Sequence, residues 1–124
     1  MGFQVTTFPN GIGEAFDDLV SRAPGGFNRA YYGISYMSPD LEIIYQAAAE
    51  VLEKSEPSDL KLEQYIIEHG DYLAVTLRDW RKNLHKIKEI FHEITRDQRV
   101  KHSPCIEWYK DDDEMVCMVR INNT

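Results

Sequence analysis

One carboxylate in this chain stands where a carboxylate is costly. Glu107 lies in the run Cys105-Ile106-Glu107-Trp108-Tyr109, whose apolar and aromatic content reads as a β-strand. In such a strand the side chain is either on a solvated face or held at considerable cost beside a partner. The residues alone leave both readings open. Other constellations are weaker. His85 and His92 are seven apart and share a helical face, but no third ligand at metal spacing accompanies them, so no metal is expected. Asp111, Asp112, Asp113 and Glu114 crowd a hairpin turn without EF-hand spacing and read as solvated. Cys105 and Cys117 lack metal-type spacing and are expected as reduced, packed thiols. With neither a Gly-rich phosphate loop nor a recognisable Ser-His-Asp order, no cofactor is expected.

The elements that must position Glu107 follow from periodicity. Residues 3–8 read as a strand closed by Pro9-Asn10-Gly11. Ile12, Ala15, Phe16, Leu19 and Val20 recur at helical spacing until Ala23-Pro24-Gly25-Gly26. Residues 30–37 are β-like through their aromatics, whereas 41–51 suit strand and helix about equally. A polar connection at 53–61 leads to a long extended stretch at 62–77, with a bend at His69-Gly70-Asp71. Asp79 is a candidate N-cap for a helix whose stripe is Leu84, Ile87, Ile90, Phe91 and Ile94. Residues 105–110 and 114–121 complete a hairpin.

Each half therefore reads strand, helix, strand, strand, and the halves align without a gap at an offset of 72. This pairs Phe3 with Val75, Ile12 with Leu84, Leu19 with Phe91, Ile34 with Ile106 and Ile44 with Val116. The expected fold is α+β: a duplicated β-α-β-β motif over about 2–52 and 62–122, forming a curved antiparallel sheet with two helices and a pseudo-twofold cleft. Glu107 breaks the match, because its counterpart is Ser35. That mismatch makes Glu107 a candidate for chemistry rather than packing.

The segments Gly70-Asp71-Tyr72-Leu73-Ala74-Val75, Asp79-Trp80, Pro104-Cys105-Ile106-Glu107-Trp108-Tyr109 and Met115-Val116-Cys117-Met118-Val119 resemble the GyrI-like effector-binding domain. That domain occurs alone or attached to AraC- and MerR-type regulators. The resemblance covers nearly the whole chain and is strongest over 62–121. It implies a multidrug-type pocket between the repeats, in which a strand glutamate meets lipophilic cations and aromatic rings stack on their planar parts. Carried over by position, Glu107 is the anionic residue. Tyr109 shares its strand parity, Tyr31 has the corresponding parity in the first half, Trp80 stands at the second helix, and Tyr65 and Trp108 complete the ligand-binding candidates. Core packing is the competing account of each ring, and the favoured one for Trp108, Tyr36 and Phe91. Cation–π contact would add about 0.5–2 kcal/mol per ring. Some stand-alone members are similar to cyclopropanoid hydrolases, for which Glu107 would be the general base and Tyr109 the orienting group.

Composition narrows the partners. The 124 residues carry a net charge of −7, which disfavours nucleic acid and attracts cations, although simple solubility accounts for it equally. No apolar run reaches the ~20 residues that span a bilayer, and the start Met1-Gly2-Phe3-Gln4 lacks a signal pattern, so no membrane association and a cytoplasmic location are expected. With no room for a helix-turn-helix, the expected partner is a small cationic or aromatic molecule. The alternatives are turnover of an electrophile, or a protein-interaction role with a protein partner or as a homodimer.

Overall fold

The computed structural model describes residues 1–100 and 102–122. Their elements run β1 (Gly2–Gln4), α1 (Ile12–Arg22), β2 (Tyr31–Met37), β3 (Ile43–Ala49), α2 (Glu56–Asp59), β4 (Tyr72–Arg78), α3 (Leu84–Ile94), β5 (Cys105–Tyr109) and β6 (Glu114–Arg120). The chain is α+β, and it divides into two units, Met1–Ile67 and Glu68–Thr124. No helix among the described residues is long and apolar enough to cross a membrane.

In the first unit the strands lie in the order β1-β3-β2, paired antiparallel. Helix α1 follows a left-handed Gly11 and presents Ile12, Ala15, Phe16, Leu19 and Val20 to Tyr31, Tyr45, Ala47 and Ala49. Strand β1 approaches β3 so closely that a Cβ on Gly2 would lie 1.9 Å from the Ala47 carbonyl oxygen, so only glycine fits there. The same glycine makes a two-way bridge with Glu63.

A buried ion pair closes this unit. The side chains of Arg29 and Glu56 are only 2% and 11% exposed, and Nη1 and Nη2 of the guanidinium donate to the two carboxylate oxygens at 3.0 and 2.8 Å. Arg29 also donates to the carbonyls of Pro24 and Glu50, while Glu56 Oε1 accepts from the Leu52 and Glu53 amides. Both charges are thus hydrogen-bonded around their perimeter, the condition under which a buried pair is tolerated. The first consequence is electrostatic: the Arg29 guanidinium, helped by the Glu53 amide, holds the Glu56 carboxyl down at about 2.

In the second unit the order is β4-β6-β5, again antiparallel. Helix α3 lays Ile87, Ile90, Phe91 and Ile94 on Leu77, Met115, Cys117 and Val119. The first residues of the two 11-residue helices, Ile12 and Leu84, are 72 positions apart, and each of these helices follows one strand and precedes two, with α2 added in the first unit.

Several local expectations change. The first strand ends at Gln4, because a turn begins beyond Val5, whose carbonyl accepts from the Phe8 amide, and the Thr7 hydroxyl donates to Asn10 O. Residues 43–49 are strand throughout, which resolves the ambiguous stretch. Strand β4 begins only at Tyr72, and residues 62–67 lie with the first unit, where Glu63 bridges Gly2. Asp79 is not the helix cap. It is left-handed (φ 52°) with its amide on the Asp113 carboxylate, a 3₁₀ turn follows at Trp80–Lys82, and α3 starts after Asn83. Leu84, at the head of the expected apolar stripe, is exposed.

Because the Glu56 carboxyl is depressed in the fold, its contribution to stability is complete above the unfolded value near 4.5 and is lost as pH falls through about 2. Glu56→Gln is expected to lower the melting temperature at pH 7 by several degrees and to shrink the fall in melting temperature between pH 4.5 and 2. Parallel pH profiles of mutant and wild type would show that the pair does not carry this dependence.

Candidate functional site

Strand β5 pairs with β6 so that Cys105 faces Val119, Glu107 faces Cys117 and Tyr109 faces Met115. Met115, Cys117 and Val119 are fully buried in the cluster that α3 covers, and Cys105 and Tyr109 pack against it. The two-residue period of the strand therefore puts Glu107 on the helix-facing side, half-buried between Cys105 and Tyr109. It is not on a polar face.

The surroundings of the carboxylate are specific. Tyr109 Oη donates to Glu107 Oε1 at 2.8 Å. The Trp80 ring meets Tyr109 edge-on, with centroids 5.0 Å apart and planes at 63°, a favourable aromatic geometry. Trp80 is in turn fixed by its indole N–H, which donates to Asp111 O at 2.9 Å, and the Arg81 guanidinium lies over its ring at 4.5 Å. Glu107, Tyr109 and Trp80 form one continuous chain of contacts, from the half-buried carboxylate to the β5–β6 turn.

The other candidates sit elsewhere. Trp108 points to the opposite face of β5, where it pairs across from Val116 and carries the Lys110 ammonium 5.2 Å from its ring. Tyr31 and Tyr65 belong to the first unit. Tyr31 is buried, with its hydroxyl on Gly26 O at 2.6 Å and its ring edge-on to Phe27. Tyr65 is half-buried and donates to Glu63 Oε2 at 3.2 Å, and burial pushes its hydroxyl well above the ordinary tyrosine range. His85 and His92 are both exposed on α3, and no group of three or more His, Cys, Asp or Glu among the described residues could hold a metal ion.

Cys105 and Cys117 are free, packed thiols as expected, but their place beside Glu107 escaped sequence reasoning, although strand parity alone could have put Cys105 there. Burial, and then the Glu107 charge, raise both thiols, Cys117 to about 12, so both stay protonated at neutral pH and neither is a ready nucleophile. Arg81 escaped it as well. Its position over Trp80 depends on Asp112, 31 residues away, whose carboxylate accepts from it at 3.0 Å. Asp111, Asp112 and Asp113 are exposed as expected, whereas Glu114 is half-buried at the start of β6, and Asp113 and Glu114 lie near Arg78 at 3.8 and 3.3 Å. No protein-family model, curated protein or solved structure matches this chain.

Removing the Glu107 charge should lower both thiols toward their ordinary value. In Glu107→Gln the alkylation of Cys105 by iodoacetamide at pH 8 is expected to run severalfold faster, followed by mass spectrometry of the labelled peptide. An unchanged rate in a mutant with wild-type melting behaviour would show that the carboxylate does not act on the thiols.

Proposed function

We propose that the second unit binds small, planar organic cations, with Glu107 supplying the charge and Tyr109 and Trp80 the aromatic surface. The observation that carries this reading is the Tyr109–Glu107 hydrogen bond on the helix-facing side of β5, with Trp80 edge-on to the same tyrosine. A carboxylate half-removed from water gains more from an incoming cation than an exposed one does. Aromatic faces beside it favour flat, delocalised cations over small hydrated ones. The raised thiols support binding over covalent capture, since thiolate is scarce at neutral pH.

This reading agrees with the GyrI-like resemblance of the sequence, and membership of that family is part of the proposal. So is a cytoplasmic role in sensing or sequestering the ligand without touching nucleic acid, in keeping with the net charge of −7.

The test is a fluorescence titration with ethidium or rhodamine 6G. Opposite charges ~4 Å apart at an effective dielectric of about 20 attract by about 4 kcal/mol before desolvation is subtracted. Glu107→Gln is therefore expected to weaken binding by about tenfold or more while leaving the circular dichroism spectrum intact. Equal affinity in mutant and wild type would remove Glu107 from the function.

A further inference from the structure

We propose that Arg81 is a built-in competitor for this site: its guanidinium covers the Trp80 ring in the place that a planar organic cation would take. The inference rests on the cation-binding reading above and adds what limits it. The contacts of Trp80 and Arg81 define the device. The guanidinium carbon stands 4.5 Å from the Trp80 centroid, within cation–π range. Arg81 Nη2 donates to Asp112 Oδ1 at 3.0 Å, which tethers the group to the β5–β6 turn. The Trp80 ring is oriented by its N–H, which donates to Asp111 O, the preceding residue of the same turn, and by its edge-on contact with Tyr109.

The ring is thus fixed by one residue of the turn and its internal cation by the next. A flat cation reaching Trp80 must displace a flat cation already there. Both side chains of the tether are largely exposed, 60% for Arg81 and 90% for Asp112, so water can take over their hydrogen bonds and the displacement costs little. Arg81 therefore lowers affinity without closing the site. It also sets selectivity. A ligand that offers only charge gains nothing over the guanidinium, while one with a larger aromatic plane exchanges a small contact for a broader one on Trp80.

The experiment titrates the full chain with ethidium at fixed ionic strength. Arg81→Ala is expected to bind about three- to fivefold more tightly, the fold-change that an exposed cation–π contact represents. Lys88→Ala removes the same charge from an exposed position on α3 and is expected to leave affinity unchanged. No tightening in Arg81→Ala, or equal tightening in both variants, would overturn the competitor role, the second because long-range charge would then account for it. Glu107→Gln is titrated alongside. Weakened binding there with unchanged binding in Arg81→Ala removes only the Arg81 role, whereas wild-type affinity in Glu107→Gln removes the cation site and this inference with it.

Discussion

The pairing of β5 with β6 is the constraint on which the site depends. Once Tyr109 faces Met115 and Cys105 faces Val119, the strand's two-residue period leaves Glu107 no choice but the side that α3 covers. An aliphatic side chain there would extend the core. A carboxylate instead loses part of its hydration and needs hydrogen-bond donors within reach. Tyr109, two residues on and on the same side, is one such donor. Position and partner are therefore set by one register, and a slip of one residue would exchange Glu107 for Trp108.

The first unit shows the same architecture put to another use. Ser35, the residue 72 positions before Glu107, lies opposite Tyr45, and Tyr31 at the start of the same strand spends its hydroxyl on Gly26 O. The buried charge in this unit lies at the ends of its strands, in the Arg29–Glu56 pair that joins the segment before β2 to the residues after β3. One unit buries a carboxylate with a full set of donors around it, including a permanent cation. The other half-buries a carboxylate beside a tyrosine, two protonated thiols and an aromatic pair. The first arrangement is a structural ion pair, and the second is the one on which the proposed cation binding rests.

Helix boundaries and strand faces were legible wherever the signal is local. Gly11 and the Ala23-Pro24-Gly25-Gly26 run bracket α1 at its observed limits, because glycine and proline dictate backbone angles on their own. The parity of Glu107 and Tyr109 was legible for the same reason. What failed depends on distant groups. Asp79 has the residue type of a cap, yet the Asp113 carboxylate 34 residues away takes its amide, and the helix starts beyond it. Arg29 and Glu56 are 27 residues apart in polar segments that look like ordinary solvated loop. Residues 62–67 have strand-like apolar content, but among the described residues their β-pairing is a single bridge from Glu63 to Gly2. Arg81 was invisible as a functional group because it reads as one more surface cation until the turn that holds it is in place.

Charge distribution decides how far a cation preference can be assigned to one residue. The first unit holds ten acidic and four basic residues, the second eleven and ten. A surface as acidic as the first attracts any cation weakly and without regard to shape, and salt screens that attraction over ~10 Å. In the second unit the background is close to neutral, with Arg78, Arg81, Lys110 and the exposed lysines of α3 offsetting the acidic turn. The second unit's own charges thus give little net field, and the proposed preference rests on contact with Glu107, whose place on β5 partly withdraws it from water and salt.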